Sequence, residues 1–220
     1  NRIMTVINLG NNHTIFNHFI QEIRDINIQN DSMRFRRNIE RIGEVFAYEI
    51  SKKLQYQNKE ITTPLGNSTE SLISEKPVLA TILRAGLPLH QGLLNYFDSS
   101  DSSFVSAYRE HKKDGSFDIK IEYMSSPNIN EKTLILCDPM IASGASMVMA
   151  MEAILSKGKP KHIHIVGIIA STEGINYLKE NSPINNCTLW IGAEDSAMTS
   201  ESYIVPGLGD AGDLAYGEKK

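Results

Sequence analysis

Residues 138–146 read Asp-Pro-Met-Ile-Ala-Ser-Gly-Ala-Ser and follow a short apolar run, Thr133-Leu-Ile-Leu-Cys137. An acid ends a buried strand, and a loop of small and hydroxyl residues then opens a helix over 147–155. Ala142, Ser143, Gly144, Ala145 and Ser146 leave room for several backbone N–H groups to converge on one anion. Ser143 and Ser146 add hydroxyl donors, and the positive end of the following helix points at the same spot. No Gly-Lys-Ser/Thr is present, so the loop is not of the Walker type. A sugar phosphate suits it better, with Asp138 placed to accept from vicinal hydroxyls. A plain strand-to-helix connection would have the same composition, so this segment does not decide by itself.

Two arginines stand in comparable places. Arg84 closes the apolar run 78–83 and is followed by Ala85-Gly86, a cation beside free backbone amides. Arg109 ends the strand expected over 104–109. Each would suit an anionic group; each would also suit a solvated turn. Near the C-terminus, Tyr203-Ile-Val-Pro-Gly-Leu-Gly-Asp-Ala-Gly-Asp213 matches G-x-G-x-x-G formally. The dinucleotide reading fails, because too little chain follows for a helix, a second strand and a ribose-binding acid. What remains is a glycine-dense loop whose main chain can read the edge of a flat, amide-bearing ring. His162 and His164 alternate at the start of a strand and could face one way. No third ligand stands at a recognisable spacing, which argues against zinc.

These residues must be held by a scaffold, and the pattern predicts one. Runs at 78–83, 133–137, 163–170 and 187–191 suit strands buried on both faces. Helices are expected from Ser32 through Ile50, through Leu93, over 147–155 and over 173–179. Strand, loop and helix in repetition predict a parallel sheet with helices on its faces. Ligands then bind at the carboxyl ends of the strands, where every motif above lies. Segments 104–109 and 119–124 read as paired strands, with Asp114-Gly115 as their turn. Residues 57–71 read as a turn or loop, and the region before Ile23 carries no clear pattern. Trp190, Met147, Met149 and Met151 read as core.

The chain has 220 residues, 41% of them hydrophobic and 22% charged, with net charge −4. This is the balance of a globular domain rather than a disordered chain. An acidic chain is a poor wrapper of nucleic acid. Two cysteines cannot form a disulfide framework, and no apolar run is long enough for a membrane helix. With no signal-peptide pattern, a cytoplasmic location is expected.

Taken together, residues 82–86, 138–146 and 203–213 resemble the uracil phosphoribosyltransferase family. Asp-Pro-Met-Ile-Ala-Ser-Gly-Ala-Ser is similar to that family's phosphoribosyl diphosphate loop. Pro-Gly-Leu-Gly-Asp-Ala-Gly-Asp is similar to its uracil loop. The resemblance covers roughly 23–217. It implies an α/β fold: a type I phosphoribosyltransferase-like parallel sheet flanked by helices, with a β-hairpin and a hood as excursions. One domain would span 1–220, with an N-terminal arm (1–30), a hairpin over the site (103–125) and a uracil-binding hood (200–217).

The resemblance also implies roles. Arg84, Arg109 and Asp210 would be catalytic. Arg84, Arg109 and Asp210, with Asp138, Pro139, Met140, Ile141, Ala142, Ser143, Gly144, Ala145 and Ser146, would bind phosphoribosyl diphosphate. Ile204, Gly209, Asp210 and Ala211 would frame uracil. Magnesium would travel with the donor, with no direct protein ligand required, and the chain would form a homodimer or higher oligomer. The expected reaction gives uridine monophosphate and pyrophosphate. Ser143 and Ala145 stand where the family more often has Thr and Gly, and the Ala145 methyl demands a compatible backbone angle. Two other readings stay open: a regulator of this fold binding RNA or nucleotide with little catalysis, and a transferase for another base.

Overall fold

Val78-Leu-Ala-Thr-Ile-Leu83 has no polar face, so it has to be covered on both sides. The same holds for three further runs, and their shared burial builds the molecule. The computed structural model describes residues 4–111 and 117–219, with the backbone alone for 109–111 and 117–119. In chain order the elements are β1 (Thr5–Asn8), α1 (Phe16–Arg24), α2 (Ser32–Ser51), β2 (Tyr56–Thr63), β3 (Gly66–Ile73), β4 (Val78–Leu83), α3 (Leu87–Tyr96), β5 (Ser102–His111) and β6 (Phe117–Ser125). There follow β7 (Thr133–Cys137), β8 (Met140–Ile141), α4 (Ala145–Leu155), β9 (His162–Ser171), α5 (Thr172–Asn181), β10 (Cys187–Asp195), β11 (Ala197–Met198), β12 (Ile204–Val205) and α6 (Ala211–Tyr216).

The main sheet runs β1-β10-β9-β7-β4-β5-β6, with β8 alongside β9. Every pairing in it is parallel except β5 with β6. Side chains alternate between two cores. Leu79, Ile135, Cys137, Val166 and Trp190 pack with Phe35, Ile39, Phe46 and Leu89 of α2 and α3. Val78, Ala80, Leu134, Leu136, Ile163, Ile165 and Leu189 pack with Met147, Met151, Ile154 and Leu178 of α4 and α5. Period-two alternation across a two-sided sheet explains why these strands are apolar throughout.

Three results differ from the sequence reading or extend it. Residues 57–71 are not a loop: they lie in an antiparallel hairpin, β2 with β3, closed by Thr63-Pro-Leu-Gly66. Nearly every residue in it is exposed, so no hydrophobic alternation marks it. The N-terminal stretch is structured: β1 pairs with β10, and Phe16 and Ile23 are buried in the core. Third, Met149 is half-buried, whereas Met147 and Met151 are core. The Asp114-Gly115 turn lies outside the described residues. Among the described residues, no helix is long and apolar enough to cross a membrane.

Candidate active site

β7 delivers Asp138 at its carboxyl end, and the chain then turns through β8 into α4. The loop's sharp corner is Gly144, whose φ of +81° is left-handed and which serves as the N-cap of α4. A Cβ there would also stand 2.9 Å from the Gly174 carbonyl oxygen. Glycine is therefore required at 144. Ala145 is the first helical residue and avoids positive φ, so its methyl costs the loop nothing. α5 buttresses the same loop. Ser171 caps α5 by accepting from the Gly174 N–H at 2.8 Å, and its hydroxyl donates to the Ala142 carbonyl.

Facing this loop is the C-terminal glycine segment. Asp210 caps α6 by accepting from the Asp213 N–H at 2.9 Å. One cleft, of about 200 Å³, is lined by both stretches: Asp138, residues 140–144, Ser146 and Met147 on one wall, residues 202–204 and 209–212 on the other. Ala85 closes the end between them. Of the residues singled out in the sequence, Asp138, Met140, Ile141, Ala142, Ser143, Gly144, Ser146, Ile204, Gly209, Asp210 and Ala211 line the cleft. Pro139 and Ala145 do not line it; they shape the loop.

Burial pushes the Asp138 carboxyl up to about 7; a hydrogen bond from the Met140 N–H opposes the rise, and the Asp210 carboxylate adds to it. Burial thus favours the protonated form of Asp138, and a hydrogen-bond donor or cation arriving in the cleft would favour the carboxylate.

Arg84 is turned towards the hood. Its Nη2 donates to Asp213 Oδ1 at 3.2 Å and to the Gly217 carbonyl at 3.1 Å. Its Nε is buried with no hydrogen-bond partner among the described residues. Gly86 allows the tight turn behind it, since a Cβ there would lie 2.0 Å from Thr81 Oγ1. Arg109 stands on β5 opposite Ile119 of β6, and its guanidinium lies outside the described part.

Sequence reasoning passed over the groups that hold the hood. Arg24 of α1 makes a forked pair with Asp195, at 2.8 and 3.0 Å, and donates to the Gly207 carbonyl at 3.0 Å. Asp195 also accepts from the Gly207 N–H at 2.9 Å. Burial alone would raise the Asp195 carboxyl, but the bonds from Arg24 and Gly207 hold it below its ordinary range. Gln29 donates to the Leu208 carbonyl and Arg36 to that of Ala215. The spacing of Phe16, Ile20 and Ile23 was a helical signal that could have found α1; the long-range polar bonds left none. Ala85, Met147, Ser202, Tyr203 and Gly212 are further lining residues that were not singled out for the cleft.

A family model described as uracil phosphoribosyltransferase matches residues 10–218. The chain belongs to the uracil phosphoribosyltransferase family. A protein of Porphyromonas gingivalis named uracil phosphoribosyltransferase is 58% identical over 216 residues, covering 98% of this chain and 100% of that one. Another of that name from Methanococcus vannielii is 37% identical over 196 residues, covering 87% of this chain and 82% of the relative. Among solved structures, the AQ2163 protein from Aquifex aeolicus superposes with a TM-score of 0.85 at 26% identity, covering 97% of this chain and 98% of that one. Family and architecture agree: the mostly parallel sheet flanked by helices is the type I phosphoribosyltransferase fold.

Proposed function

We propose that this cleft moves the 5-phosphoribosyl group from phosphoribosyl diphosphate to N1 of uracil, releasing pyrophosphate and giving uridine monophosphate. Family membership supports the reaction. The observation that carries the site is the meeting of the 138–146 loop and the 209–212 segment on one cleft. The 5′-phosphate sits on the N–H groups and hydroxyls at the start of α4, where the helix dipole adds to the attraction. Asp138 accepts from the ribose hydroxyls. Ile204, Gly209 and Ala211 frame the uracil ring, largely through main-chain atoms. The enclosed volume holds the ribose phosphate, and the pyrophosphate end runs out past Ala85 towards Arg84.

Charge grows on the leaving pyrophosphate while the sugar becomes oxocarbenium-like. Fixed cations aimed at that charge lower the barrier. Arg84 serves this end once its guanidinium exchanges Asp213 for the donor; its unpartnered Nε is a buried N–H ready to donate. Arg109 is assigned the same work by family resemblance.

Magnesium, when bound, neutralises the leaving group's developing charge. Among the described residues, no three His, Cys, Asp or Glu side chains cluster to cage a metal. Two carboxylates, Asp138 and Asp210, face the cleft and repel each other. That set fits a hard cation held chiefly by the donor's own oxygens, with Asp210 or Asp138 completing the shell.

The setting is proposed to be cytoplasmic, in keeping with two buried free thiols, Cys137 and Cys187. Pyrophosphate release with phosphoribosyl diphosphate and magnesium, comparing uracil with cytosine, orotate and hypoxanthine, tests the assignment. Turnover with uracil well above the other bases is expected; no turnover with uracil refutes it.

A further inference from the structure

The mechanism leaves His162 and His164 unused, and they lie at the far end of the sheet. His162 opens β9 opposite Thr133, the first residue of β7, and His164 stands opposite Thr188 of β10. Nine residue steps of β9 separate His162 from Ser171 beside the catalytic loop and seven separate His164 from it, roughly 30 and 23 Å at the rise of an extended strand. A separate cavity of about 400 Å³ opens there, lined by Lys53, Leu54, Gln55, Glu75, Thr133, Lys161, His162, His164 and Thr188.

Its chemistry is that of an anion site. The two imidazoles lie side by side, with ring centroids 4.5 Å apart and planes tilted by 56°. His164 is 4% exposed, and its Nδ1 accepts from Trp190 Nε1–H at 3.1 Å. The proton of His164 therefore sits on Nε2, which has no hydrogen-bond partner among the described residues. His162 Nε2 lies 2.9 Å from Thr188 Oγ1, which ties that hydroxyl to the rim. Of the two lysines, Lys161 is paired with Glu75. Lys53 makes no ion pair among the described residues and leaves its charge uncompensated. Burial first, then the neighbouring His162 and Lys53, push His164 down to about 3, so its imidazole is neutral near pH 7 and offers an N–H rather than a charge. The volume lies within the range of small-metabolite pockets.

We propose that this cavity binds a phosphate-bearing metabolite, its phosphate held by Lys53 and the His164 Nε2–H, with Lys161 joining when it leaves Glu75. The site is separate from the catalytic cleft and does not depend on the transfer reaction assigned there.

Histidine-labelled protein titrated with inorganic phosphate and with glycerol 2-phosphate tests this, with imidazole resonances read by NMR and sodium chloride matching the ionic strength. The His162 and His164 resonances are expected to move saturably with both phosphates and to ignore chloride. Lys53→Gln should weaken the binding about fivefold or more, and Glu75→Gln, by freeing Lys161, should tighten it, consistent with charge-assisted phosphate contacts. In a parallel titration of uniformly nitrogen-15-labelled protein the amides of residues 143–146 report the catalytic cleft, and their response should be the same in both variants. Imidazole resonances that stay fixed, that follow chloride equally, or that titrate identically in Lys53→Gln would overturn the proposal.

Discussion

Asp138 titrates close to neutrality, so any contact it accepts from a sugar is linked to a proton. Its folded pKa of about 7 stands above the ordinary 3.8. Between those values the folded chain keeps a proton that the unfolded chain has lost. Stability from this carboxyl is therefore full below the ordinary pKa and falls as pH rises towards 7. Donor binding runs the other way, because hydroxyls and magnesium favour the carboxylate. Affinity for phosphoribosyl diphosphate should climb from pH 6 to pH 8, and in Asp138→Asn the part of that slope due to Asp138 should vanish while affinity drops about 10- to 100-fold. Calorimetric titrations across that range check both signs. At Arg84, replacement by Ala should cut kcat about 10²- to 10³-fold with unchanged circular dichroism. Its pair with Asp213 is about one-third exposed on both sides, at 34% and 35%. Such pairs contribute under about 1 kcal/mol. Asp213→Asn should accordingly lower KM for the donor only a few-fold, as steady-state assays would show.

At the scale of elements, α1 acts on the proposed base-binding side through one clamp. Arg24, Asp195 and Gly207 join the N-terminal helix, the end of β10 and the start of the glycine segment. Breaking a partly buried polar network costs roughly 1–3 kcal/mol. Arg24→Ala should therefore raise KM for uracil about tenfold while leaving KM for the donor near its starting value, and Arg24→Lys should restore part of the loss. Equal effects on both substrates would point to general destabilisation instead. Because Asp195 is held below 3.8, the clamp's contribution is present above that pH and is lost only as pH falls through the lowered value. The strands that carry the site were legible because each is buried on both faces and so is written as an uninterrupted apolar run. Loop 138–146 was legible only together with 82–86 and 203–213, since its small and hydroxyl residues alone would also suit a plain strand-to-helix connection. β2 and β3 were not, since a hairpin exposed on both faces carries no alternation to read. β1 was too short, at four residues, to stand out. The clamp was invisible because Arg24 and Asp195 are 171 positions apart.

For the whole molecule, the β2–β3 hairpin carries a group of exposed apolar side chains: Leu65 is fully exposed, and Ile61, Leu72 and Tyr56 are exposed with it. An isolated two-stranded hairpin is marginal in water, and exposed apolar side chains favour a partner. We propose on this ground that the chain forms the homo-oligomer implied by its family resemblance. Sedimentation should show a dimer or larger species, and Leu65→Glu with Leu72→Glu should shift it towards the monomer; a wild-type monomer at micromolar concentration would contradict the proposal. The hood and the α4 loop belong to opposite ends of the chain's second half, yet the account requires one molecule to touch both. A crystal structure with uridine monophosphate bound is the most direct examination of that requirement. The account predicts the phosphate on the N–H groups of residues 143–146 and the uracil ring against residues 209–211 of the same subunit. A phosphate seated elsewhere, or a base that never meets the glycine segment, would contradict it.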